Sequence, residues 1–175
     1  MKKKALETRF IADSMLGKLA KWLRLAGVDV EYEKDIDDKE LVQRAIFEDR
    51  VILTRDRSVT QRKLVKECLL INSEHLSEQI REFKRAFELN TLKNAFTRCI
   101  LCNNPLEEIP KELLKGKVPP YIWNTHERFK HCNRCKRVYW AGTHRRNAEK
   151  LLKELIEESD LKGEKGLTLK TDYEG

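Results

Sequence analysis

The sequence predicts an α/β fold: an open parallel sheet with flanking helices, then a small metal-stapled module and a C-terminal helix. Three observations carry this. The first ninety residues alternate short apolar runs with helix-like segments, the pattern of a parallel sheet with right-handed crossovers. Two Cys-x-x-Cys pairs follow within residues 99–135. Of the 175 residues, 40% are hydrophobic, enough for a packed core, while 37% are charged, well above the usual quarter.

Strand-like runs fall at 9–12, 28–32, 51–54 and 68–71, separated by helix-like segments at 16–26, 39–48 and 58–66. The first helix repeats Leu16, Leu19, Ala20, Leu23 and Ala26 at the three-four spacing of one buried face. Gly27 stands where that helix should stop. The second opens after Asp37-Asp38, good N-cap chemistry, and offers Leu41, Val42, Ala45 and Ile46 to the core. A longer helix over about 75–88 carries Leu76, Ile80, Phe83 and Phe87. Residues 1–92 therefore read as one domain.

The character changes after about residue 95. The stretch 96–144 holds both cysteine pairs, all four prolines and two of the three tryptophans, with little helical period. Residues 93–146 read as a module too thin to stand without a staple. Residues 147–175 read as the end of a polar helix (about 145–159) and a Lys/Glu/Gly tail from 160 that frays.

The formal net charge of +7 leans toward an anionic partner. No apolar run approaches the roughly 18 residues of a membrane span, so no membrane partner is expected. The Met1-Lys2-Lys3-Lys4 start has no apolar region behind it, which argues against a secretory signal and for a cytoplasmic protein.

Cys99, Cys102, Cys132 and Cys135 form two pairs separated by 29 residues. Two short loops that each offer two thiolates suit a closed, structural Zn²⁺ site, with no open position for chemistry. Disulfides fit an intracellular chain poorly, and a redox dithiol needs only one pair. Cys68 lies in an apolar run and reads as a buried strand residue. Residues 128–146 contain seven basic residues and no acidic one, which favours a nucleic-acid surface. Among them stand Tyr139 and Trp140, which are either the module's core or stacking platforms for unpaired bases.

Asp13 and Asp56 each follow a strand and stand beside basic residues. In an open parallel sheet, residues past the carboxyl ends of strands line the ligand crevice. Asp37 or Asp38, at the entrance of the second helix, offers a third carboxylate. Such a group of acids calls for a hard divalent cation, Mg²⁺ or Mn²⁺. The plainer alternatives stay open: Asp37 or Asp38 as an N-cap, Asp56 as a turn residue, and the neighbouring arginines as simple ion-pair partners.

Several ordered motifs resemble those of a known family. They are the run from Asp13 through Gly17, Lys18, Lys21 and Arg24 to Gly27, then Asp38-x-x-Leu41, and Val51 to Thr54 followed by Arg55-Asp56-Arg57. The later half adds Arg98-Cys99-x-x-Cys102-Asn103 and Cys132-x-x-Cys135-x-Arg137-Val138-Tyr139-Trp140-x-Gly142-x-His144. Together they resemble the Mut-seven carboxy-terminal ribonuclease family, a PIN-like nuclease domain fused to a zinc ribbon, over about residues 9–146. The resemblance implies a PIN-like sheet and a Mg²⁺- or Mn²⁺-dependent RNA nuclease, an endoribonuclease being favoured. Asp13, Asp38 and Asp56 would be its catalytic, metal-holding acids, with Asp37 and Glu74 as further candidates. PIN domains often carry a fourth acid after a later strand, and Glu74 is the nearest here.

The expectation is therefore an enzyme that hydrolyses RNA phosphodiesters. Lys18, Lys21, Arg24, Arg55 and Arg57 would clamp phosphates, while Arg134, Arg137, Arg145 and Arg146 would assist from the ribbon. The rival is a non-catalytic RNA-binding protein, ribosome- or tRNA-associated, with a degenerate pocket. A receiver-like phospho-acceptor would need adjacent acids near the first strand end. A phosphatase of the Asp-x-Asp type is disfavoured by Ser14-Met15 after Asp13.

Overall fold

The computed structural model describes residues 2–89 and 92–157; the expected tail from 160 lies outside them. The elements run β1 (Lys3–Lys4), β2 (Arg9–Ala12), α1 (Gly17–Leu25), β3 (Asp29–Tyr32), α2 (Asp38–Phe47), β4 (Val51–Thr54), α3 (Arg57–Thr60) and β5 (Cys68–Leu70). Then come α4 (Leu76–Ala86), β6 (Phe87–Glu88), β7 (Leu106–Ile109), α5 (Pro120–Thr125), β8 (Phe129–Cys132), β9 (Val138–Trp140) and α6 (Thr143–Glu157).

The main sheet has the order β3-β2-β4-β5, all parallel. From β2 the chain steps outward to β3, then returns across β2 to β4 and β5. The order thus reverses between β2 and β4, and ligand crevices in such sheets open at that point. Side chains alternate between the two faces. Phe10, Ala12, Val51 and Leu53 enter a large cluster with Leu19, Leu23, Ile80 and Phe83. Ile11 and Ile52 face the other way, against Ile36, Leu41, Val42, Ala45 and Val59. Phe10, Phe83 and Phe87 form an aromatic knot with ring centroids 4.8–5.3 Å apart.

Several details differ from expectation. Ile46, expected in the core beside Leu41, Val42 and Ala45, is exposed on α2, and α4 stops at Ala86, leaving Phe87 to β6. The helix expected over 58–66 is a single turn, α3, because Val59 is its one buried side chain and residues 61–64 are exposed. Without an apolar stripe there is nothing to hold further turns against the sheet. Cys68 is half-buried rather than buried, since β5 is an edge strand; burial still pushes its thiol up. The C-terminal helix is no appendage. Leu152, Leu155 and Ile156 of α6 join the same cluster as Ile80 and Phe83 of α4.

The second sheet is antiparallel, β7-β8-β9, with Phe129 opposite both Ile109 and Trp140. Its core has three buried apolar side chains, Leu114, Val118 and Phe129, flanked by Ile109, Ile122, Trp123, Val138 and Trp140. The segment between the cysteine pairs carries β7, a short 3₁₀ turn (Lys111–Leu114) and α5. So small a core needs a cross-link.

Candidate metal centre and acidic edge

The two cysteine pairs adopt one and the same turn. Cys99 donates its N–H to the Asn104 carbonyl (2.8 Å) and accepts from the Asn103 N–H (2.9 Å). Cys132 does the same with Arg137 and Lys136, each at 2.9 Å. Each turn closes through a residue in the left-handed region, Asn103 (φ 64°) and Lys136 (φ 61°). The four sulfurs lie within 4.8 Å of one another. Cys99 Sγ is 3.5 Å from Cys135 Sγ, and Cys102 Sγ is 3.3 Å from Cys132 Sγ. Thiolates on a tetrahedral Zn²⁺ at about 2.3 Å would stand roughly 3.8 Å apart, so the donor set fits. Four soft sulfurs can hold a metal such as zinc.

The thiols also compete for charge. Burial pushes the Cys99, Cys102 and Cys135 thiols up, but hydrogen bonds from Tyr139 and neighbouring backbone N–H groups outweigh it at Cys99, bringing that thiol down to about 7. Cys102 is pushed up to about 12 by burial and by its sulfur neighbours. A bound dication would remove this competition. Tyr139 donates or accepts at Cys99 Sγ (3.0 Å), and Trp140 packs against Phe129. Both aromatics are half-buried, Tyr139 against the sulfurs and Trp140 against the ribbon's small core.

At the sheet edge, Asp13 is the fixed point. It leaves β2 and caps a 3₁₀ turn over Ser14–Leu16. Its carboxylate is 7% exposed and accepts three hydrogen bonds: from the Met15 N–H (2.9 Å), the Thr54 hydroxyl (2.6 Å) and the Arg55 N–H (2.7 Å). Two of the three donors come from the end of β4, so the carboxylate sits at the point where the strand order reverses. Thr54 Oγ1 also accepts from the Asp56 N–H at 2.9 Å, linking the two strand-end acids through one buried hydroxyl.

The other acids are held apart. Asp56 is exposed and caps α3 through the Ser58 N–H (2.7 Å). Asp37 caps α2 through the Glu40 N–H (2.8 Å). Asp38 opens α2 and pairs with Arg62 at 2.8 Å. Glu74 pairs with Arg55 at 2.9 Å, which holds its carboxyl below the usual range by hydrogen bond and charge. Among the described residues, the cysteines alone form a group of three or more His, Cys, Asp or Glu able to share an ion. As arranged, the acids do not make a cage for a hard cation.

The basic residues divide as well. Lys18, Lys21, Arg57, Arg134, Arg137 and Arg146 are exposed. Arg55 is part-buried against Glu74, and Arg145 lies over the Phe96 ring at 4.7 Å. Arg24, expected to clamp phosphates, is a correction. It is 1% exposed and donates to the carbonyls of Val30, Ile100 and Leu101. It points into the protein because α1 places it on the side covered by the first cysteine turn.

Sequence reasoning gave no role to Thr54, Tyr32 or Arg62. Thr54 had a signal, as the one polar residue ending a wholly apolar strand. Tyr32 donates to the Ser14 carbonyl at 3.2 Å, and its ring lies where a Cβ on Gly17 would stand, 2.7 Å away. A side chain at position 17 would therefore force the tyrosine ring to move. Burial, Asp35 and Asp13 together push the Tyr32 phenol up. Arg62 had no signal, since α3 was expected to run through it.

No helix among the described residues is long and apolar enough to cross a membrane. No curated protein matches the sequence. The model of the Mut7-C RNAse domain matches residues 8–152, spanning the sheet, the acidic edge, the cysteine centre and most of α6. The chain therefore belongs to the Mut7-C RNAse domain family, whose description is of a ribonuclease-type function.

Proposed function

We propose that the chain hydrolyses RNA phosphodiesters at the crevice between β2 and β4, endonucleolytically and with Mg²⁺ or Mn²⁺. The observation that carries this is Asp13: a nearly buried carboxylate, fixed by three donors at the crevice of a ribonuclease-family chain. Its Oδ2 already accepts two bonds and Oδ1 one, so Oδ1 keeps a free lone pair for an outside partner. Asp38 and Asp56 are its partners in this reading, with Asp37 and Glu74 in reserve. Asp38 must first exchange Arg62 for a cation, a small cost for a half-exposed pair. Exposed Lys18, Lys21 and Arg57 hold the phosphates nearby.

In the same reading the cysteines carry one structural Zn²⁺. The ribbon (93–146) contributes RNA affinity through Arg134, Arg137, Arg145 and Arg146, and the chain works in the cytoplasm. The test is cleavage of RNA by the full chain with and without Mn²⁺, repeated with Asp56→Asn. Metal-dependent cleavage that disappears in that variant supports the reading. The second reading, a non-catalytic RNA-binding protein with a degenerate pocket, is favoured by the scattered acids. RNA bound but left intact at every metal concentration would establish it instead.

A further inference from the structure

β3 is an edge strand of the main sheet, and such an edge presents unpaired backbone donors and acceptors. Here two side chains close it at Val30, one from α1 and one from the first cysteine turn. Val30 donates its N–H to Asn103 Oδ1 at 3.1 Å, and its carbonyl accepts from Arg24 Nε at 2.7 Å. The same guanidinium enters the first cysteine turn, where Nη1 donates to the carbonyls of Ile100 (3.0 Å) and Leu101 (2.8 Å). The Asn103 amide donates to Asp29 at 2.7 Å and Glu31 at 3.1 Å, and Arg98 pairs with Asp29 at 3.2 Å. The connecting chain is pressed equally close. Phe96 donates its N–H to the Leu25 carbonyl, and a Cβ on Gly27 would stand 2.2 Å from the Asn94 carbonyl oxygen.

A buried cation needs compensation. Among the described residues, the hydrogen bonds of Arg24 go to neutral carbonyls, and its Nη2 is buried without a partner. The negative groups that act on it are Glu31, Cys99, Cys102 and Asp29. Two of these are sulfurs of the metal centre. Four thiolates around one Zn²⁺ leave a net charge of two minus, which adds to the charges of Glu31 and Asp29 in compensating the buried guanidinium.

We infer that Arg24 is a positioning residue joining the zinc centre to the nuclease sheet: the zinc–thiolate charge holds its guanidinium in place, and the guanidinium in turn closes the edge of β3. Zinc occupancy therefore sets the order of β3, the strand that leads into α2 and Asp38. The inference rests on the assignment of zinc to the cysteines, which metal analysis tests separately.

The experiment is amide hydrogen exchange on the full chain, zinc-loaded and after treatment with a chelator. Zinc removal is expected to expose the Val30 amide together with the amides of 99–104, while β4 stays protected. Arg24→Met should weaken zinc binding roughly ten- to a hundredfold, the usual effect of removing a group behind the ligands, and so release zinc to a chelator faster than the parent. Arg24→Lys, which keeps the charge but not the fork, should recover part of that. Asn103→Gly preserves the left-handed turn, so it should keep its zinc yet leave Val30 as exchangeable as in the zinc-free parent. If Arg24→Met does not fold, Val30 protection in the parent and in Arg24→Lys, each with and without zinc, decides the matter. A zinc-containing parent whose Val30 protection is indifferent to the metal overturns the coupling alone. Zinc release from Arg24→Met at the parental rate overturns it too. A chain that holds no zinc overturns both the coupling and the assignment beneath it.

Discussion

Two Cys-x-x-Cys turns bring four sulfurs within 4.8 Å of one another, whereas the acids along the sheet edge give their oxygens to separate protein donors. The sulfurs come from two copies of one local turn, and pairing of β7 with β8 brings the two together. The carboxylates come from the ends of two strands and the start of a helix, each shaped first by a local duty. Asp56 and Asp37 are caps, Asp38 is an ion-pair partner and Asp13 is a strand clasp. A centre whose donors have little else to bind releases most of its metal affinity as folding energy. An edge whose donors are engaged must exchange partners first, so its cation should bind more weakly and leave the fold unchanged.

The largest effect expected from this contrast is at the cysteines. The purified chain should hold about one zinc per chain, and structural zinc is worth on the order of 10 kcal/mol in small domains. Cys132→Ser should lose the metal and unfold the ribbon well before β2 and β4, as elemental analysis and exchange over residues 96–144 would show. A stable, zinc-free Cys132→Ser ribbon would erase the contrast.

Next come the acids, which differ among themselves. Asp13→Asn sets an amide N–H against at least one of three donors, so it should cost about 1–3 kcal/mol of stability as well as cleavage. Asp56→Asn keeps an equally good cap at an exposed site and should stay within about 0.5 kcal/mol of the parent. It should nonetheless abolish metal-dependent cleavage. Urea midpoints measured beside cleavage rates separate the two, and Asp56→Asn is the cleaner probe. A fully active Asp56→Asn would remove that acid from the site.

A smaller effect belongs to the ribbon's cations. Neutralising Arg134, Arg137, Arg145 and Arg146 should weaken RNA binding. Each phosphate that thereby goes without its cation should reduce the log–log salt slope by roughly 0.7 on a single strand. Arg145 should matter least, because it is partly engaged over Phe96. Cleavage of a short saturating substrate should survive. An unchanged slope would return the RNA surface to Lys18, Lys21 and Arg57.

What the sequence discloses follows the same division. The cysteine spacing, Gly27 and the strand ends at Ala12 and Thr54 are local signals, and they place the sheet, the first helix and the sulfur centre. The acids could be placed on one edge but not assigned their partners, since Arg62 reaches Asp38 from 24 residues away. The junction was hidden altogether. Arg24 reads as one more exposed helical cation until Ile100 and Leu101, 76 and 77 residues later, fold over it. Asn103 stands in a recognisable motif, yet its bond to Asp29 spans 74 residues. No periodicity records such a pairing.

That junction also sets the smallest prediction, an acid limb to the stability of the whole. Burial pushes the Asp29 carboxyl up, but hydrogen bonds from Arg50 and Asn103, with the charges of Arg50 and Arg98, hold it below its ordinary 3.8. A carboxyl lowered on folding stabilises the folded state fully above its unfolded value, and that contribution disappears as pH falls through the folded one. The contribution of Asp29 should therefore be indifferent to pH from neutrality down to about 4 and fall away below it. Asp29→Asn keeps the shape and removes the titration. Its urea midpoint should lie below the parent's at pH 6, and the gap should close as pH falls under 4. A gap that stays constant down to pH 3 would show that Asp29 acts through packing alone, leaving Arg50, Arg98 and Asn103 to hold the two regions together by other contacts.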